Sequence, residues 1–162
     1  MKAKIALKIA MGADHRGFAL KEKLIKYLKS KSFMVKDCGT FDGEKAVDYP
    51  VFALKVCGQV IKGDCDRGIL VCGTGIGMSI AANKVPGIRA ALVNSIEAAR
   101  LTSCHNRSNV LCLSSGTAPG KAKKIADAWF NACFEGGRHG RRVDLITEIE
   151  KKYCSAGLRG KR

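Results

Sequence analysis

Short apolar runs alternate along this chain with longer amphipathic stretches. Ile5–Met11 is apolar at most positions and closes on Gly12, as a strand would. Phe18–Ser30 sets Leu20, Leu24 and Tyr27/Leu28 at i, i+4 and i+7/i+8, one face of a helix. Phe33–Asp37 reads as a second strand, followed by a polar loop to Asp48. Pro50 suits the first turn of a helix, with Val51, Leu54, Cys57 and Ile61 turned inward. Gly68–Cys72 is a continuous apolar run of the kind buried on both faces, and the glycine run Gly73–Gly77 leads into a helix over Met78–Lys84. Ile88–Val93 predicts a strand, Ile96–Cys104 a helix and Val110–Leu113 a fifth strand. Gly120–Phe134 is helical, with Ala122, Ile125, Ala126, Trp129 and Cys133 on one stripe. A Gly/Arg-rich loop, Gly136–Arg142, then precedes a last helix over Val143–Tyr153. Strand–helix alternation of this kind is the mark of a parallel α/β sheet. The expected architecture is a three-layer, doubly wound (Rossmann-like) α/β domain with five parallel strands over residues 1–150, followed by a basic tail, 151–162.

Composition narrows the class. At 162 residues and 46% hydrophobic, the chain suits one domain with a real core, not a disordered polymer. Its apolar runs fall far short of the ~20 residues a membrane span needs. Lysines interleave with the first apolar residues, which favours a strand over a signal peptide. The net charge of +15 is spread along the chain, with no aromatic–basic alternation, so no dedicated nucleic-acid surface is expected. The positive field would still draw small anions. Eight cysteines without a C-x-x-C pair or zinc-ligand rhythm read as thiols of a reducing cytoplasm, mostly small core residues. A non-catalytic basic module that binds a nucleotide or nucleic acid stands as the alternative of another class.

In open α/β sheets ligands bind beyond the carboxyl ends of the strands. After the first strand come Asp14, His15 and Arg16 beside a helix start; Asp14 as a cap and Asp14 as a site acid fit equally. After the third comes Cys72-Gly73-Thr74-Gly75-Ile76-Gly77. Alternating glycines expose successive amides as an anion nest, and without the P-loop lysine such a nest suits a developing oxyanion better than a triphosphate. Cys72 stands at its entrance, where a helix N-terminus favours a thiolate. His105 ends a helix, and Arg138, His139, Arg141 and Arg142 form a potential phosphate clamp or a solvated turn.

These clusters, in this order, make the sequence resemble type B ribose-5-phosphate isomerases and the related galactose-6-phosphate isomerase subunits. The shared segments are Gly12–Gly17, Asp48-Tyr49-Pro50, Cys72–Gly77, Ile80–Lys84, Gly87–Ala90, His105-Asn106 with Asn109-Val110-Leu111, and Glu135–His139, collinear from about Ile9 to Glu150. The resemblance implies interconversion of ribose 5-phosphate and ribulose 5-phosphate through an enediolate, in the non-oxidative pentose phosphate pathway, with neither metal nor organic cofactor. By it, Cys72 is the base, the amides of Gly73, Thr74, Gly75, Ile76 and Gly77 hold the oxyanion, and His105 opens the ring with Asp14 and Thr74. His15, Arg138 and Arg142 hold the phosphate, while Tyr49 and Asn106 line the sugar site. Some relatives use instead a glutamate one turn into the next helix, where this chain has Met78. Relatives also carry a phosphate-binding arginine past the fifth strand, where this chain has Gly116. That departure raises a six-carbon substrate, allose or galactose 6-phosphate, as the alternative within the class. The resemblance further implies homodimers or homotetramers with sites shared between subunits and a C-terminal helix reaching the partner.

Overall fold

A computed structural model describes residues 6–154; Ile5 and residues 155–162 lie outside the described part. Five strands are formed: β1 (Lys8–Ala13), β2 (Met34–Asp37), β3 (Arg67–Cys72), β4 (Ala90–Leu92) and β5 (Val110–Ser114). They pair in parallel in the order β2-β1-β3-β5-β4. Between and after them run α1 (Phe18–Ser30), α2 (Tyr49–Ile61), α3 (Ile76–Ala82), α4 (Ile96–Asn106), α5 (Pro119–Asn131) and α6 (Arg138–Cys154). Among the described residues no helix is long and apolar enough to cross a membrane.

Strand side chains alternate between the two faces, and each face is covered by helices, which is why the central strands are apolar throughout. Ile9, Met11, Ile69, Val71, Leu111 and Leu113 point into one core with Leu24 and Leu28 of α1, Ala99 of α4 and Trp129 of α5. Ala10, Leu70, Cys72, Val110 and Cys112 point into the other, against Val56 of α2 and Met78 of α3. Trp129 is fully buried, and its indole N–H donates to Ser108 Oγ at 2.7 Å.

Lys21 is fully buried, and its ammonium pairs with Asp37 and Glu22 beside the Phe18 and Phe41 rings. A buried ammonium is tolerated only when paired in this way. The pair fastens α1 to the end of β2, where Asp37 Oδ1 also accepts the Gly39 N–H at 2.9 Å. Gly39 in turn accepts the Ala13 N–H at 2.7 Å. The loop of residues 38–48 is thereby held against the carboxyl end of β1.

Three expectations need correction. In α2, Val51, Leu54 and Ile61 are about half exposed, and the buried face is Phe52, Ala53, Val56 and Cys57. The helix is apolar nearly all round, so its periodicity carries no phase. Second, 138–142 is no loop: Gly136 and Gly137, both at positive φ, make the turn and α6 begins at Arg138. Third, α5 stops at Asn131, and Cys133, expected on its apolar stripe, lies beyond it and is exposed.

Candidate active site

β1 and β3 are neighbours whose following helices lie on opposite faces, so a crevice opens between them at the carboxyl edge of the sheet. Asp14 and Cys72 stand at that switch point. Asp14 is buried; its N–H donates to Val71 O at 3.2 Å, and its Oδ1 accepts the Gly17 N–H at 2.8 Å. That bond closes the turn before α1, whose N-cap is Gly17 and takes no side-chain cap. Gly17 must be glycine because a Cβ there would lie 2.3 Å from Val71 O. This close approach draws the start of α1 against β3.

Cys72, 4% exposed, ends β3 with its sulfur accepting the Gly75 N–H at 3.2 Å. Gly75 has φ +79, a left-handed turn that points its amide back at the sulfur before α3 begins. The Ile76 amide donates to Thr74 Oγ1 at 3.3 Å. Two amides of the nest are thus already engaged within the chain. The carbonyl of Gly73 is held from the end of β5 by the hydroxyls of Ser114 and Ser115, at 2.8 and 3.3 Å. Gly116 follows in that same turn, its N–H on Ser114 Oγ. Tyr49 lies against Gly77, where a Cβ would meet its ring at 2.6 Å. His15 accepts the Val47 N–H on Nδ1 at 3.3 Å, which leaves Nε2 as the nitrogen able to donate. Burial pushes the Cys57 thiol up to about 11 and Cys112 higher still, so both stay protonated at neutral pH.

Arg16 was not singled out from the sequence as a site residue. Its side chain lies over Gly73, 3.2 Å from where a Cβ would stand, at the mouth of the nest. The signal was its place in Asp14-His15-Arg16-Gly17.

The remaining residues are elsewhere. Helices α4 and α5 run back from the carboxyl edge, so His105, Asn106 and the start of α6 gather at the amino edge. Val110, just beyond α4, is level with Gly68, four residues before Cys72. At about 3.3 Å per residue that is ~13 Å along the sheet. Within one chain, Cys72 does not meet His105, Asn106, Arg138 or Arg142. A cavity of about 490 Å³ also opens on this side, lined by Asn83, Arg89, Asn106, Ile149 and Glu150, and not by Cys72.

At the amino edge the His105 and His139 rings stack, centroids 4.1 Å apart and 2° from parallel. Glu135 Oε2 lies 3.5 Å from His105 Nε2 and 3.7 Å from His139 Nε2. The Glu135 N–H donates to Cys104 O at 3.0 Å, tying this turn to the end of α4. Arg138 and Arg142 are exposed. Burial, reinforced by His105 and Arg138, holds the His139 imidazolium below its ordinary range, with Glu135 opposing. The folded protein therefore binds fewer protons at this site than the unfolded chain does. Stability is present above the ordinary histidine value of ~6.5 and is lost as the pH falls below it. Denaturant midpoints measured from pH 8 to pH 5 should fall more steeply for the parent than for His139→Gln; identical slopes would contradict the assignment.

Residues 9–146 match the family described as Ribose/Galactose Isomerase. Ribose-5-phosphate isomerase B of Escherichia coli is 47% identical over 146 residues, covering 90% of this chain and 97% of that protein. The structure of Clostridium thermocellum ribose-5-phosphate isomerase B superposes with a TM-score of 0.89 at 50% identity, covering 91% of this chain and 99% of that one. That of Mycoplasma genitalium ribose-5-phosphate isomerase B with bound ribulose-5-phosphate gives 0.85 at 46% identity, covering 90% and 97%.

Proposed function

The chain belongs to the ribose/galactose isomerase family, and we propose that it interconverts ribose 5-phosphate and ribulose 5-phosphate at a site completed by two copies of itself. The observation that carries this reading is the Cys72 sulfur, held by the Gly75 amide at the mouth of a glycine nest on the β1/β3 switch point.

In the open-chain aldose, the Cys72 thiolate takes the proton from carbon 2 and the carbonyl oxygen on carbon 1 becomes the enediolate oxyanion. Transfer of the hydroxyl proton from oxygen 2 to oxygen 1, with return of the abstracted proton to carbon 1, gives the ketose. Donors aimed where charge develops are usually the largest catalytic contribution. With the amides of Gly75 and Ile76 engaged, that task falls to the other amides of the Gly73–Gly77 run. Asp14 and Thr74 flank the reacting carbons, Tyr49 walls the sugar, and His15, its proton on Nε2, donates toward the phosphate.

His105, Asn106, Arg138 and Arg142 come from the second copy. In an isologous pair the carboxyl edge of one chain can face the amino edge of the other, twice over. Exposed Val51, Leu54, Ile76 and Ile80 beside the nest, with Leu145 and Ile149 on α6, supply apolar surface for that contact. There His105 opens the ring, its imidazole taking the anomeric hydroxyl proton while the ring oxygen gains one. Arg138 and Arg142 clamp the phosphate, whose binding energy positions the distant carbons.

Gly116 leaves the turn beside Gly73 without a cation of its own, while Lys121 stands in the first turn of α5 at the same edge. A coupled assay should give kcat/KM for ribose 5-phosphate at least about tenfold above that for allose or galactose 6-phosphate, unchanged by a metal chelator. Equal or better use of a six-carbon substrate would overturn the assignment of substrate, and loss of turnover on chelation would overturn the metal-free chemistry.

A further inference from the structure

We propose that His105, Glu135 and His139 form a binding site for one divalent transition-metal ion, zinc in the first instance, whose occupancy withdraws His105 from the reaction. The three side chains bring one ligand atom each to within 4.8 Å of the others. Two imidazole Nε2 atoms stand 3.5 and 3.7 Å from the same carboxylate oxygen. Bonds of ~2.0–2.2 Å in a tetrahedral zinc site set the ligand atoms ~3.3–3.5 Å apart, so the two carboxylate–imidazole edges nearly fit, and the imidazole pair has to close from within 4.8 Å. Two histidines and a glutamate are a known zinc set that leaves a fourth position for water.

Each ligand is held from outside the cluster. His105 is in the last turn of α4, Glu135 is fixed by its amide on Cys104 O, and the His139 amide donates to Gly136 O at 2.9 Å. Arg138 Nε donates to His139 Nε2 at 3.4 Å, so that nitrogen carries the lone pair a metal would take. Parallel rings keep their lone pairs in parallel planes, and one must tilt for the pairs to converge. Half-buried His105 and exposed Glu135 form the open side on which that tilt and the entry of an ion occur. Nearby Arg138 and Arg142 repel a cation and keep the affinity below that of a structural zinc site. The ion is an inhibitor in this scheme, with no part in the isomerisation. Its effect on turnover rests on the proposed ring-opening role of His105; its binding does not.

The test is zinc binding by competition with a chromophoric chelator. It uses the full chain with the exposed Cys133 and Cys154 changed to serine, so that those thiols supply no ligands. One equivalent per chain is expected, weakened by at least about tenfold in Glu135→Gln and in His139→Ala. Cobalt(II) in its place should show a tetrahedral absorption band that both variants lose. Because His139 is buried, the exposed Glu135→Gln change carries the decision if His139→Ala does not fold. Absence of stoichiometric binding, or equal affinity in Glu135→Gln, overturns the inference. Turnover of ribose 5-phosphate should fall as zinc fills the site and return with chelator. Triad-dependent binding with unchanged turnover upholds the site and counts against His105 as the ring-opening group.

Discussion

A Cys72→Ala chain is expected to fold and to lose isomerisation by about 10²–10⁴-fold, the range general-base catalysis contributes. The sulfur ends a strand in the tight core formed with Leu70, Met78 and Cys112, where removing one small atom leaves a minor void. Folding should therefore survive, with a near-native circular dichroism spectrum. Chemistry should not, because the side chain one turn into α3 offers no base to take over the proton. Met78, the position at which the resemblance raised a glutamate base, is fully buried and carries no titratable group. Cys72→Ser should be nearly as impaired, since a hydroxyl gives no comparable anion at neutral pH. Turnover of ribose 5-phosphate within a few-fold of the parent would remove Cys72 from the mechanism.

Replacement of His105 by alanine separates ring opening from proton transfer. Net conversion of ribose 5-phosphate, which is mostly cyclic, should fall by about 10²-fold or more, the lower range for an acid–base group. Ribulose 5-phosphate has no ring to open. Enediolate formation from it should continue, and the carbon 1 proton should still exchange with deuterated water at a much smaller loss. Nuclear magnetic resonance of ribulose 5-phosphate follows the exchange, and a coupled assay follows net conversion. Equal losses in the two would place His105 in the proton-transfer step itself.

The architecture was legible because both of its periodicities are strong. Leu20, Leu24 and Leu28 are buried as their spacing predicts, and Gly68–Cys72 is buried at every position. The nest was legible too, because alternating glycines after an apolar run have few other uses. What the chain hid was phase and edge. Helix α2 is apolar on both sides, so no pattern told Phe52 and Val56, which are buried, from Val51 and Leu54, which are not. Gly136 and Gly137 suggested a loop through Arg142, yet two positive-φ residues suffice for the turn, and His139 is already buried in the first turn of α6. The separation of His105 from Cys72 follows from the same strand–helix alternation: a helix following β4 runs antiparallel to the sheet, so its last residues reach the amino edge.

That separation makes the pairing of chains the centre of the account. If each site takes Cys72 from one copy and His105 from the other, two dead variants can rescue each other. In a mixed dimer of Cys72→Ala with His105→Ala, one site carries both defects and the other carries neither. Random re-pairing of equal amounts makes half the dimers mixed, so about one quarter of parental activity should return. The measurement is the turnover of ribose 5-phosphate after the two inactive proteins are unfolded together and refolded as a mixture. Recovery near one quarter is the predicted result; a mixture no more active than its two components would contradict a site built from two chains.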